Sequence, residues 1–539
     1  MIMRHKSEAN YLFPRRRRCG SHDSGRWAGV LQRGFGVVLG GAVLAGLAWC
    51  SLAAAQSNPS PPPPATAVAP ADDSKAEGPI DCGNRKQLFL DERLFAKSQN
   101  ITLRMNPPAK MGAVLFSDKP WESREIGCVS VVEDGGQYKM WYCDLAFVEG
   151  GWHCCYAVSK DGVVWEKPRL GLIEFKGSKD NNVVMAGILE TTVFLDPVGP
   201  PEARFKAISQ GADYTSPQKG GLYVHTSPDG IHWKMSDQHV FPVGADTSNQ
   251  AFYDLRLKKY VAHIRVWAPM RKVGRIEMDD ITKPWPVKQI EKPYYIWGEG
   301  KMPVASYEVP TMFGYDEHDP VDSDMYNPAS VQYPWADRAY FLFPSPFRHS
   351  TGLLDIQMAT SRDGVKWTRL SREPYVSLGT EDEFDSRSLY MAAGMVRREG
   401  KIFQYYGGYR VPHAEFVDPK PKDPIGQIFR LEQRLDGFVS ADASFEGGEF
   451  TTPPLVFSGT HLVLNVNASA TGACSVEILD EQGHPLPGYS LGDCGEVSGN
   501  HLEKTVSWKG KTDLSSLHGR AVRLRFAMRS CKMFAFQFP

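Results

Sequence analysis

Short runs of alternating apolar and polar residues recur along most of the chain, and three of them lead into the same seven-residue pattern. Cys155-Tyr156-Ala157-Val158, Leu222-Tyr223-Val224-His225 and Ile356-Gln357-Met358-Ala359 each precede Ser-x-Asp-Gly-x-x-Trp, at Ser159 to Trp165, Ser227 to Trp233 and Ser361 to Trp367. The period of two predicts strands, and the Asp-Gly turn followed by Trp predicts a hairpin corner of fixed form. Asp161, Asp229 and Asp363 are 68 and 134 residues apart, the spacing of an array with one copy lost. Asp279-Asp280 followed by Trp285 is a worn copy inside that gap.

Strands centred on aromatics accompany the corners, with Tyr138, Phe205, Tyr260, Tyr340 and Phe403 at intervals of 67, 55, 80 and 63 residues. No amphipathic helix lies between them. Five repeats of three or four antiparallel strands predict an all-β fold, a five-bladed β-propeller over residues 81–440. The corners are expected to be structural, the Asp accepting turn N–H groups and the Trp wedging between neighbouring blades. From about Phe445 the alternating runs shorten (Leu462 to Val466, Cys474 to Leu479, Val522 to Met528), which predicts a C-terminal β-sandwich over residues 441–539.

The amino-terminal residues follow another pattern. A basic lead-in (Arg15 to Arg18), an apolar run from Phe35 to Trp49 and Ala53-Ala54-Ala55 predict a signal peptide over residues 1–55, or an anchor if it stays uncleaved. Residues 56–80, rich in proline, are expected to form a disordered linker. The protein is then exported, to a periplasmic, extracellular or cell-surface location, and a membrane is a partner only if the segment is retained. Eight cysteines follow residue 55, so disulfides are expected, Cys474 with Cys494 foremost. The vicinal Cys154 and Cys155 should point to opposite faces of a strand, each with a separate partner or as a buried thiol. No Cys-x-x-Cys or His-x-x-x-His spacing suggests zinc. Lys and Arg number 61 against 62 Asp and Glu, so net charge gives no signal for nucleic acid. The 50 Gly and 39 Pro residues suit a turn-rich β protein.

Candidate chemistry gathers where the chain enters each repeat. Glu125, Glu190, Asp246, Asp324 and Asp385 each stand shortly before an aromatic strand, one per repeat. Arg124, Asn249, Tyr326, Asn327 and Arg387 flank them, and Trp121 and Tyr409 offer rings that could stack on a sugar. Paired carboxylates accept hydroxyl hydrogen bonds, and two carboxyls flanking an acetal can cleave it. The partner expected is therefore a carbohydrate, an oligo- or polysaccharide. No cofactor is required. Asp316, Glu317, Asp319, Asp322 and Asp324 form an oxygen-rich loop in which Ca²⁺ is conceivable, although a solvated loop is the plainer reading.

With its Asp-Gly-x-x-Trp hairpins, five repeats and trailing sandwich, the chain resembles the five-bladed β-propeller glycoside hydrolases, the invertase/fructosidase and arabinanase/xylosidase group. That resemblance implies a nucleophile or base from the first blade, a transition-state stabiliser from the second and a general acid from the third. Carried over by position, these are Glu125, with Glu122 as rival, then Glu190 or Asp196, then Asp246. Asp324 and Asp385 remain open as alternatives. The group's Trp-x-Asn-Asp-Pro-Asn-Gly, Arg-Asp-Pro and Glu-Cys signatures are absent. The competing expectation is a non-catalytic carbohydrate-binding or scaffold propeller.

Overall fold

A computed structural model describes residues 78–145, 152–211, 221–267, 270–286, 294–296, 300–302, 309–413 and 424–539; the expected signal and nearly all of the linker lie outside them. The described residues are all-β, with short 3-10 turns such as Glu92–Leu94 and Pro201–Ala203 and no α-helix.

Five antiparallel sheets follow one another. The first runs Ile126–Asp134, Gln137–Asp144, His153–Ser159, Val183–Ala186, and the second Ile188–Leu195, Phe205–Gly211, Leu222–Ser227, Lys234–Met235. The third runs Gln250–Asp254, Lys259–Trp267, Arg271–Met278, Thr311–Phe313, and the fourth Ala329–Gln332, Tyr340–Phe343, Ala359–Ser361. Ser388–Met391, Lys401–Tyr409 and Gly426–Arg434 make the fifth, whose last place is taken by Ala109–Leu115 from ahead of the first sheet.

Hydrogen bonds join the leading strands in sequence. Val193 N–H donates to Ser130 Oγ (2.9 Å), Thr192 Oγ1 to the Asn249 carbonyl, and Ser330 N–H to Gln250 Oε1 (2.7 Å). Asn327 Nδ2 donates to the Met391 carbonyl (3.0 Å), and Val131 N–H to the Ala393 carbonyl (3.0 Å), which returns to the first sheet.

The repeated corners are built as their residues dictate. Asp161 Oδ1 accepts the Val163 and Val164 N–H groups at 2.8 and 2.9 Å, and Ser159 Oγ accepts that of Gly162, whose φ of +70° suits glycine. Asp229 and Asp363 repeat this pattern. Each corner then locks onto a neighbouring sheet through its glycine carbonyl. Gly230 O receives Trp141 Nε1 at 2.7 Å, Gly162 O receives Tyr405 OH at 2.7 Å, and Gly364 O receives Arg275 Nη1 at 2.9 Å. Trp165 meets Tyr405 edge-on with ring centres 5.7 Å apart, and Trp233 meets Trp141 at 6.4 Å, so these indoles do sit between sheets. In the worn copy, Asp280 Oδ1 accepts the Thr282 N–H at 2.9 Å, and Trp285 packs against a core drawn from the second and third sheets.

Most of the remaining strands form two further sheets around one core. One is ordered Asn500–Thr505, Val463–Asn467, Cys531–Gln537, Val439–Ala443, Ile101–Met105, with Gln87–Leu88 also on Cys531–Gln537. The other is Lys97–Gln99, Gly448–Thr451, Arg523–Arg529, Ala473–Leu479. Phe89, Phe450, Leu464, Val476, Phe526 and Phe536 fill the space between them. Residues 80–105, expected to open the propeller, therefore pair with the carboxy-terminal strands instead. The cause is apolar burial: Phe89 and Phe95 pack on Phe450 at 5.5 and 4.9 Å.

The expected bridge between Cys474 and Cys494 is not formed; all eight cysteines among the described residues are free thiols. Cys494 Sγ instead accepts the Val476 N–H at 3.3 Å, while Cys474 and Cys531 are buried in the same core. Cys154 and Cys155 face opposite sides of their strand, Cys154 in the core shared with the second sheet and Cys155 in that shared with the fifth.

Candidate active site

Strand irregularities place the candidate carboxyls. Glu125 immediately precedes the first strand of the first sheet. Glu190, at φ +40°, lies where the register of the second sheet slips between Leu189 and Thr192. Asp246 and Thr247, at φ +48° and +79°, turn the chain into the third. Asp324 sits on Ser323–Met325, which pairs with Pro346–Arg348 just ahead of and behind the first two strands of the fourth.

Arg265 is the centre of the cluster. Its fully buried guanidinium donates to Asp246 Oδ2 at 2.6 Å and to the Tyr326 carbonyl at 3.0 Å, and it lies 3.9 Å from the centre of the Tyr326 ring. Its backbone N–H donates to Asn249 Oδ1 at 2.8 Å, which ties Asn249 to the same group. Burial, then the neighbouring Asp246, push the Glu190 carboxyl well above its ordinary value, and Arg265 opposes them. Glu190 Oε2 is buried without a hydrogen-bond partner. Glu190 is thus held toward its protonated form beside an ion-paired carboxylate.

Around Tyr326 stand His413 (ring centres 4.3 Å apart), Tyr390 (5.7 Å) and Phe347 (6.1 Å), and Tyr390 hydrogen-bonds His413 Nδ1 at 2.6 Å. Burial, with Arg271 and Arg265 nearby, pulls the His413 imidazole down to about 3, so it is neutral. Arg271 donates to Asp324 Oδ2 at 3.0 Å, with His349 Nε2 3.3 Å from the same oxygen, and its guanidinium lies 4.6 Å from Trp267 and 5.1 Å from Tyr326.

Glu125 is pushed up to about 7, by burial first, with Asp144 adding to the rise and Arg124 opposing it. Arg124 Nε is 3.6 Å from its Oε1. The buried Tyr409 ring lies in the electrostatic reach of both Glu125 and Glu190, and its hydroxyl donates to the Ile126 carbonyl at 2.9 Å. Tyr409 is therefore a buried spacer rather than an open stacking face.

The structure brings Glu190 and Asp246 together at Arg265, with Asp324 beside them through Arg271 and Tyr326, and sets Glu125 with Arg124 and Asp144, sharing only Tyr409 with Glu190. Three other candidate acids are committed elsewhere. Glu122 is clamped by Lys167 Nζ (2.7 Å) and Tyr142 OH (2.6 Å) while accepting the Asp118 and Lys119 N–H groups. Asp196 holds buried Lys206 and Tyr260 OH (2.7 Å), and Asp385 holds Lys110 and Tyr406 OH (2.8 and 2.7 Å). Trp121 Nε1 is spent on Asn182 Oδ1 at 2.8 Å, and Arg387 pairs with Glu381 at 3.1 Å. In the acidic loop, Arg369 and Arg372 both grip Asp316 and Asp319, and Arg348 holds Asp322. Guanidinium groups balance that charge.

Arg265, Arg271, Tyr390 and His413 belong to the cluster yet escape a reading based on acids. The signal for Arg265 was present: His263, Arg265 and Trp267 alternate with Ala262, Ile264 and Val266, and a charge inside a strand buried on both faces needs a partner.

No protein-family model matches the sequence, and no curated protein matches it either. The structure is similar to several solved ones. A chain described as a glycoside hydrolase aligns at 13% identity and TM-score 0.40 over 61% of this chain and 92% of its own. An N-acetylgalactosamine deacetylase from F. plautii, in complex with blood group B trisaccharide, aligns at 14% and 0.41 over 62% and 96%. The catalytic domain of a GH62 α-L-arabinofuranosidase from Coprinopsis cinerea aligns at 9% and 0.38 over 62% and 97%.

Proposed function

We propose that the five sheets are the blades of a β-propeller, followed by a β-sandwich, in an exported glycoside hydrolase that cleaves carbohydrate by carboxyl acid/base catalysis. The reading is carried by one observation: Glu190 and Asp246, from the second and third sheets, meet at the buried Arg265 guanidinium, and Glu125 of the first sheet, linked to Glu190 through Tyr409, has its proton affinity raised to about 7. Proton transfer is most efficient from a group whose pKa lies near the working pH. Glu125 then moves the proton, Asp246, 43% exposed at its side chain and held by Arg265, faces the substrate as the carboxylate, and protonated Glu190 donates a hydrogen bond to a sugar oxygen. This exchanges the roles that position alone implied for Glu125 and Asp246.

Glycoside cleavage by the purified protein, tested on a panel of aryl glycosides and polysaccharides, should fall at least about 100-fold in Glu125→Gln and in Asp246→Asn. The wild-type rate should change through the pH range around 7, and Glu125→Gln should lose that dependence. Full activity in both variants rejects the roles, and no turnover of any glycan rejects hydrolysis. A second reading, a carbohydrate-binding propeller without turnover, is favoured by the arginines that occupy Asp246 and Asp324. It predicts saturable glycan binding with unchanged sugar over days.

A further inference from the structure

The rim around the proposed site is uneven in height. In each antiparallel sheet the second strand hands over to the third at the end where the leading strand begins, which is the end that carries Glu125, Glu190 and Asp246. From the first sheet to the fifth these connections are residues 145–152, 212–221, 268–270, 344–358 and 410–425. A connection of 3 residues cannot rise far above the strand ends, whereas those of 15 and 16 residues in the fourth and fifth sheets can. In the fourth, Pro346–Arg348 pairs with Ser323–Met325, and the Tyr326 N–H donates to the Ser345 carbonyl at 2.9 Å, so a two-stranded ribbon prolongs the hairpin of Ala329–Gln332 and Tyr340–Phe343 past the sheet. From Ala329 back to Ser323 it extends by up to about 20 Å, at ~3.3 Å per residue.

Neighbouring sheets hold the ribbon in place. Arg271 of the third donates to Asp324 Oδ2 at 3.0 Å, and in the connection of the fifth the His413 N–H donates to the Gly352 carbonyl at 2.8 Å. At the tip, Arg348 Nε donates to Asp322 Oδ1 at 2.7 Å and the His349 N–H to the Asp322 carbonyl at 2.9 Å. Phe347 packs on His413 with ring centres 5.1 Å apart, in one buried cluster with Tyr326, Leu354 and the partly buried Tyr390. Side chains thus fill the mouth on its fourth and fifth sides, while Asp246 at the entrance to the third keeps 43% of its side chain exposed.

We propose that this ribbon is a wall, and that the site takes the terminal sugar of a saccharide chain and releases it as a single unit. The proposal rests on the glycoside-cleaving reading and adds to it the point of attack. A sugar lying against Asp246 meets the ribbon on one side, and the rest of its chain leaves over the lower rim of the first three sheets. An internal sugar has a neighbour on both sides, and the wall stands where one of them would run. In the step itself the glycosidic C–O bond breaks, the hydroxyl of a water goes to the anomeric carbon and its remaining proton to the oxygen of the other fragment.

The test uses the purified full chain and the glycan of the panel that it cleaves. Products are separated by chromatography from the first minutes, and polymer viscosity is followed against released reducing ends. Oligosaccharides of the same glycan are offered with either a bulky acetal on the non-reducing sugar or the reducing sugar opened to its alditol. A single sugar as the sole small product, viscosity that holds while reducing ends accumulate, and complete loss of cleavage with one of the two modified oligosaccharides are expected. Mixed oligosaccharides with an early fall in viscosity, or cleavage of both modified forms, overturn the wall and leave hydrolysis standing. No cleavage of any glycan rejects hydrolysis, and the proposal with it. His349→Ala trims the half-exposed tip of the ribbon: the form refused by the wild type should then be cleaved, and continued refusal overturns the assignment of the ribbon.

Discussion

Replacing Glu125 by Gln should stabilise the protein at alkaline pH and leave it unchanged in acid. The Glu125 side chain is 8% exposed, and its proton is held up to about 7 against an ordinary 4.5. Above pH 4.5 the unfolded chain releases this proton while the folded one keeps it, so wild-type stability falls as pH rises from 4.5 to about 7 and then levels off. At about 1.4 kcal/mol per pH unit, the burden on the folded state reaches ~3 kcal/mol by pH 8. Glutamine keeps the shape and hydrogen-bonding capacity of the neutral carboxyl but never ionises. Urea unfolding of wild type and Glu125→Gln, followed by tryptophan fluorescence at pH 4, 6 and 8, should therefore show curves that coincide at pH 4 and separate by ~3 kcal/mol at pH 8. A stability difference that does not change with pH would refute the claim that burial raises the Glu125 proton affinity.

Other perturbations follow from the packing. Asp196→Ala leaves Lys206 buried without its carboxylate and should cost about 3–5 kcal/mol in chemical denaturation, whether or not the protein turns over sugar. Gly230→Ala puts a Cβ 2.5 Å from Trp141 at a φ of +83°, and should lower stability by about 1–3 kcal/mol, read as a drop in melting temperature. Asp161→Ala removes one oxygen shared by two turn N–H groups and should cost about 1 kcal/mol, with glycan processing unaffected.

The repeat was legible because its chemistry is local. An Asp, a Gly with positive φ and a Trp within seven residues write the turn and the intersheet wedge into one stretch of sequence, so Asp161, Asp229 and Asp363 marked their sheets correctly. Pairing between distant segments leaves no such mark. Nothing near Ile101–Met105 announces that its partner is Val439–Ala443, and those residues were expected with the repeats they precede. The acids divide in the same way. Glu125 and Glu122 lie three residues apart in similar surroundings, and a lysine 45 residues away decides that Glu122 is an internal anchor. Lys206 and Lys110 make the same decision for Asp196 and Asp385. Local sequence can propose a carboxylate at a strand entrance, whereas the cation that meets it comes from elsewhere in the chain.

The strands at residues 80–105 bear on the order in which the protein can be finished. Gln87 and Leu88 pair with Phe536 and Ala535, more than 440 residues further along the chain. A chain emerging amino end first, from a ribosome or an export channel, holds Ile101–Met105, Lys97–Gln99 and Ile80–Gly83 without partners until Val439–Ala443, Gly448–Thr451 and Leu455–Phe457 have arrived, and Gln87–Leu88 until Cys531–Gln537 has. Contacts of such sequence separation are costly to close and slow to form. The five repeats can assemble while the beginning waits, with Ala109–Leu115 already able to join Gly426–Arg434. Loss of Cys531–Gln537 would therefore leave Gln87–Leu88 without a partner and part Val463–Asn467 from Val439–Ala443, because one strand holds all three in the same sheet.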